Sequence, residues 1–216
     1  MNRAPCFSTF SIVALDPDTG DLGVATQSKY LAVGSVVPWA RPNAGAIATQ
    51  AWANASFGPR GLDLLEQDVG AIDTLERLLE PDPGRQSRQV GVVDVDGTAA
   101  AFTGTACQEW AGHVTGPGHV CLGNILAGED VVTAMAETFE APGEEDFATK
   151  LVAVLTAGQE AGGDRRGRQS AALLVAREGG GCGGTSDFLV DLRVDDHADP
   201  IEELKRLYTL HGRLLT

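Results

Sequence analysis

The chain has 216 residues, 43% of them hydrophobic and 21% charged, with a formal net charge of −14. Such a chain is long enough to bury a core and too apolar to stay disordered. The acidic excess argues against nucleic-acid backbones and anionic membranes as partners, since both select basic faces. No apolar run approaches the roughly 20 residues of a membrane span. The first residues lack the basic, apolar and small-residue pattern of a secretory signal.

Strand patterning opens the chain. Residues 9–15 carry Phe10, Ile12, Val13 and Leu15, and residues 16–21 read Asp-Pro-Asp-Thr-Gly-Asp, a turn by composition. Residues 22–26 form the return strand of a hairpin. Two further strands are expected over 33–39 and 44–49, turning at Arg41-Pro42-Asn43. Ser56 is placed to cap a helix beginning near Pro59. Leu62 and Leu65 and, after Gly70, Ile72, Leu75, Leu78 and Leu79 keep helical spacing. Pro81-Asp82-Pro83-Gly84 stops that helix. Residues 90–93 and 99–103 flank Asp94-Val95-Asp96-Gly97, a hairpin signal. A strand over 119–123 follows.

Two helices come next, with stripes Val131, Val132, Met135, Phe139 and Phe147, Leu151, Val154, Leu155. Residues 171–177 and 188–194 read as strands around a glycine loop at 179–184. That loop has no following Lys-Ser/Thr and no dinucleotide spacing, so it is no phosphate cradle. Asp199-Pro200-Ile201-Glu202 starts the last helix. The order is strands, two helices, strands, two helices, strands, helix. Several strands are apolar on consecutive residues and are therefore covered on both faces, and the hairpins make them antiparallel. Two stacked antiparallel sheets with helix layers outside satisfy this pattern: an α+β, four-layer αββα sandwich.

Chemistry-bearing residues concentrate in Asp164-Arg165-Arg166-Gly167-Arg168-Gln169-Ser170, directly before an apolar strand. A plain turn does not need three guanidinium groups. Two readings stand: an ion-pair knot that anchors the loop, or fixed forks for an anionic or carbonyl-bearing ligand. Lysine is rare, and Lys29 sits in an apolar neighbourhood. Asp191, Arg193, Asp195, Asp196 and His197 form a polar run, read as Arg193 pairing with the acids or as carboxylates for a hard metal. His113 is either an acid/base or a ring bonded to backbone. Asn54 and Asn124 supply turn hydrogen bonds, or Asn124 donates to an oxyanion. Cys6, Cys107, Cys121 and Cys182 show no CxxC pair and no zinc spacing, which reads as idle thiols in a reducing cytoplasm. No metal and no cofactor are expected.

The local strings Thr9-Phe10-Ser11-Ile12-Val13-Ala14, Val36-Val37-Pro38-Trp39-Ala40-Arg41, Ala48-Thr49-Gln50, Gly58-Pro59-Arg60-Gly61, Trp110-Ala111-Gly112-His113, Gly123-Asn124, residues 162–170 and the run from Val190 to His197 resemble the DUF1028 family. That bacterial and archaeal group is classed as N-terminal-nucleophile (Ntn) hydrolase-like. Ntn hydrolases use a Thr, Ser or Cys freed at the mature N-terminus, with its own α-amino group as base and an oxyanion hole. The resemblance puts Thr9 at the nucleophile's position. It puts Gln27, Ser28 and Lys29 at the end of the second strand among active-site groups, and Asp164 and Gly167 on the loop supporting the threonine. Eight residues precede Thr9, and methionine removal would leave Asn2 first. The mechanism therefore requires cleavage before Thr9.

The resulting expectation has residues 1–8 as an extension or propeptide and 9–216 as one domain. It hydrolyses a C–N amide bond in a small carboxylated metabolite. Thr9, Lys29 and Asp164 are the catalytic candidates. Gln27, Ser28, Asn124, Arg165, Arg168 and Gln169 are the substrate-binding candidates. The chain is expected to be cytoplasmic and to form a homodimer or higher homo-oligomer, with a small-molecule substrate and neither nucleic-acid nor membrane partners. Two other classes stay open: a non-catalytic ligand-binding protein on the same fold, and a structural homo-oligomer joined through the arginine loop.

Overall fold

The computed structural model describes residues 9–214. The expected propeptide at 1–8 and Cys6 lie outside them. Ten strands form two antiparallel sheets. The strands are β1 (Thr9–Leu15), β2 (Leu22–Ser28), β3 (Pro38–Arg41), β4 (Gly45–Ala51), β5 (Arg88–Asp94), β6 (Ala99–Thr103), β7 (Gly112–Gly116), β8 (His119–Asn124), β9 (Ser170–Ala176) and β10 (Phe188–Val194). The larger sheet runs β10-β9-β2-β1-β8-β7 and the smaller β3-β4-β5-β6. Helices α1 (Phe57–Leu65) and α2 (Ala71–Leu79) cover the smaller sheet. Helices α3 (Asp130–Glu140), α4 (Phe147–Glu160) and α5 (Pro200–Leu214) cover the larger. This is the four-layer αββα sandwich.

Period-two alternation builds the layers. In β1, Phe10, Ile12 and Ala14 face the helices, while Val13 enters the core between the sheets with Leu22 and Val24 of β2. The β1–β2 hairpin closes where Asp16 Oδ2 accepts from Thr19 Oγ1 at 2.7 Å and Gly20 takes φ 77, a left-handed position that glycine adopts freely. The Asp94 carboxylate accepts from Thr98 N at 2.9 Å and from Ala71 N at 2.9 Å. One side chain thus closes the β5–β6 turn and caps α2.

Some local expectations change. Residues 33–39 are not a continuous strand: Val33–Ser35 is a 3-10 turn, and β3 begins at Pro38. Ala32 there adopts φ 54, and a Cβ on Gly34 would lie 2.6 Å from Ala172 Cβ, so a close backbone approach overrides strand propensity. Ser56 stands at the N-cap position of α1 but caps nothing with its side chain. Its Oγ donates to Asn54 Oδ1 at 2.8 Å instead, making Asn54 the turn residue expected of it. Ile72 lies on the solvent side of α2, 56% exposed. Strand β7, Gly112-His113-Val114-Thr115-Gly116, has Val114 as its one aliphatic side chain and was not expected.

Candidate functional site

One end of the sandwich, where β1 begins and β2, β4 and β8 end, holds a buried polar network in an otherwise apolar inter-sheet space. Thr9 pairs in register with Ser28 on one side and Asn124 on the other. All three are buried. Thr9 Oγ1 lies 3.2 Å from Ser28 Oγ. Gln50 Nε2 donates to the Thr9 carbonyl at 3.3 Å and to Gln89 Oε1 at 2.9 Å. Ser11 Oγ lies 2.6 Å from Gln50 Oε1 and 2.8 Å from Thr26 Oγ1. Asn124 Nδ2 donates to Gln89 Oε1 at 3.1 Å. Gln89 Nε2 in turn donates to Gly123 O at 2.8 Å and Thr103 Oγ1 at 3.0 Å. Thr103 Oγ1 meets His113 Nδ1 at 2.8 Å. The bare-backbone reading of His113 is thereby replaced by a hydroxyl partner, and partial desolvation lowers its pKa.

Buried polar groups are costly unless paired. So many inward-facing polar side chains around one threonine are thus a specific arrangement. Backbone strain gathers at the same end. Ala51, directly after Gln50, has φ 62, and Ile125, directly after Asn124, has φ 55. Left-handed backbone is a genuine outlier for a β-branched residue and tends to mark functional sites.

The arginine loop braces this end from outside. The Asp164 carboxylate is buried: Oδ2 accepts from Lys29 N at 2.9 Å and Oδ1 from Arg166 N at 2.8 Å. Arg166 Nε sits 3.6 Å from Oδ1, and Arg166 Nη2 donates to Lys29 O at 3.3 Å. Gln169 N donates to Ser28 O at 3.0 Å, which ties the loop to the strand end that carries Ser28. The Gln169 side chain donates to Asp196 at 3.1 Å. Arg168 pairs with Asp199 at 2.9 Å. Arg166 and Arg168 are engaged in ion pairs, as the knot reading expects, whereas the exposed Arg165 guanidinium has no ion-pair partner among the described residues. Its backbone N donates to the carbonyl of the strained Ile125 at 3.0 Å.

The sequence-derived candidates divide by face. Thr9, Ser28 and Asn124 meet between the sheets, and Asp164, Arg165, Arg168 and Gln169 lie on the adjoining loop. Gln27 and Lys29 are on the opposite parity of β2. The Lys29 side chain is exposed, and its Nζ donates to Arg168 O at 3.3 Å. Gln27 turns toward the helix layer, fully buried, with neither amide atom hydrogen-bonded. Ser11, Thr26, Gln50, Gln89 and Thr103 were missed as site residues. The available signal was alternation: Gln50 shares parity with the inward Ala46 and Ala48, and Gln89 with the inward Val93.

Elsewhere, Asp191 lies 3.8 Å from Arg193, the pairing expected of that run. Among the described residues, no group of three or more His, Cys, Asp or Glu is placed to hold a metal ion. Cys107 Sγ donates to Arg88 O at 3.3 Å, Cys121 and Cys182 are free thiols, and burial pushes the Cys121 thiol far up. A cavity of ≈820 Å³ opens at the other end of β1, beside Leu15. Within its lining, Arg177 Nε donates to Asp21 at 2.7 Å and Tyr208 Oη to Asp146 at 2.7 Å.

The model of a family described as "Family of unknown function (DUF1028)" matches residues 9–204. The crystal structure of protein SPO2555 from Silicibacter pomeroyi, whose description carries the same designation, is 36% identical. That match covers 94% of this chain and 88% of the other, with a TM-score of 0.84. None of the curated proteins matches. No helix among the described residues is long and apolar enough to cross a membrane.

Proposed function

The chain belongs to the DUF1028 family, and from that premise we propose that its Thr9 end is an amide-hydrolysing site of the N-terminal-nucleophile type. The observation that carries this reading is the convergence of Ser28, Asn124 and Gln50 on Thr9 at the start of a central strand. After cleavage between Ser8 and Thr9, the new α-amino group takes the Thr9 hydroxyl proton. An amine with a pKa near 8 suits that role. The hydroxyl oxygen then attacks the substrate carbonyl, and the oxyanion is stabilised by neighbouring amide donors, with Asn124 as the candidate. Collapse expels the amine, which takes the proton, and leaves a Thr9 ester. Water, deprotonated by the same α-amino group, hydrolyses that ester and restores the hydroxyl.

Asp164 serves as a positioning residue, because its buried carboxylate holds the Lys29 amide next to Ser28. Arg165 is the cation available for a substrate carboxylate, since Arg166 and Arg168 are already paired. In the uncut chain the Thr9 nitrogen is an amide and cannot act as a base.

The test compares the full-length protein with a chain that begins at Thr9 after methionine removal, on a panel of N-acyl amino acids. The shortened chain is expected to hydrolyse at least one of them. Thr9→Ala in it should lose at least about two orders of magnitude, as removal of a covalent nucleophile implies. Equal rates for the two chain lengths, or an unaffected Thr9→Ala, would replace this reading with the ligand-binding one.

A further inference from the structure

The larger sheet runs β10-β9-β2-β1-β8-β7, so β10 stands at an edge, its outer side unpaired by any strand among the described residues. Helix α5 packs on the helix-facing side of β10 through Ile201 and Leu204. On the other face, Phe188, Asp191 and Arg193 line an open groove with Trp39 and Pro38. Phe188 is 45% exposed, one of few large apolar side chains left in solvent. Asp191 and Arg193 are also exposed, at 45% and 49% of their side chains.

Edge strands are templates for pairing, and proteins usually blunt them with like charges, bulges or proline. The bulge in β10 falls between Phe188 and Val190 and leaves Val190–Val194 in regular register with β9. That segment, Val190-Asp191-Leu192-Arg193-Val194, has opposite charges placed symmetrically about Leu192. Antiparallel pairing of two copies centred on Leu192 sets Asp191 of each beside Arg193 of the other, and Val190 beside Val194. Directly opposed side chains in such pairs stand about 4.5–5.5 Å apart at Cβ, close enough for both charge pairs to form.

We infer that a second copy of this chain docks on β10 by two-fold antiparallel strand pairing about Leu192, joining the two larger sheets edge to edge. The pairing is isologous and closes on itself, which ends assembly at a dimer. The inference is independent of the chemistry proposed for Thr9.

Light scattering on four forms tests it: wild type, Asp191→Arg, Arg193→Asp and the double variant. Wild type and the double variant should be dimers. Each single variant opposes like charges twice and should weaken self-association by more than about a hundredfold, since like-charge contacts across an interface cost several kcal/mol. Mixing the two single variants should restore a dimer, because one then carries two arginines and the other two aspartates. A monomeric wild type, or single variants that dimerise as well as wild type, would overturn the inference. Should a single variant fail to fold, amide exchange on wild type decides. Protection at residues 190–194 must rise with protein concentration, and concentration-independent exchange there rules the interface out.

Discussion

At the scale of single residues, burial sets the chemistry. His119 is buried on the helix side of β8, with Nδ1 3.3 Å from the Pro117 carbonyl and Nε2 3.6 Å from Glu140. Its ring lies 4.9 Å from that of Phe139. Desolvation lowers its pKa, outweighing the carbonyl and the carboxylate, which both raise it. The folded state therefore binds this proton less readily than the unfolded chain. The stabilisation is fully present above the unfolded value of about 6.5 and is lost as pH falls from there through the lower folded value. Thermal melts at mildly alkaline and mildly acidic pH should show a smaller acid-side loss in His119→Gln than in wild type. An identical loss in both would remove His119 from the acid sensitivity. Neither its burial nor its neighbours were legible in sequence, where Gly118-His119 reads only as a strand start. Gln27 teaches the same lesson. It is adjacent to Ser28 in sequence, but one step of strand parity puts the two side chains on opposite faces of the sheet.

Among elements, strands with apolar alternation were legible, and so were helices with clear stripes. The β1–β2 hairpin follows from Asp16 to Asp21, and α4 follows from Phe147, Leu151 and Leu155. The segment 33–35 was not legible, because the close approach of Gly34 to Ala172 comes from a strand far away in sequence. The loop from Asp164 to Gln169 was legible as a charged cluster, but the division between its paired and unpaired arginines was not. Its partners, Asp199 and the Lys29 backbone, are distant in sequence. That division gives a prediction. On carboxylated substrates, Arg165→Ala should raise KM by about tenfold to a hundredfold, the worth of a lost charge-assisted hydrogen bond of about 1.5–3 kcal/mol. Carboxamide analogues should be little affected by the same change. Arg168→Ala removes an exposed ion pair worth at most about 1 kcal/mol of stability and should leave KM nearly unchanged. Kinetics on matched acid and amide substrates decide this: equal sensitivity of both to Arg165→Ala would exclude it as the carboxylate anchor.

Over the whole molecule, three hydrophobic cores separate four layers, and polar side chains break into the middle one at the Thr9 end. The layer order was legible because hairpins and helix pairs alternate along the chain. The inter-sheet network was not, since Gln50 and Gln89 come together only when β4 and β5 pair. The central claim is that this network prepares Thr9 to be a nucleophile once its nitrogen is free. Peptide mapping by mass spectrometry, after exposing the chain that begins at Thr9 to a β-lactone, tests it most directly. The account predicts one acyl adduct, on Thr9, absent from Thr9→Ala and from the full-length chain. An adduct on a cysteine or lysine alone, or equal labelling of Thr9 in the full-length chain, would contradict it.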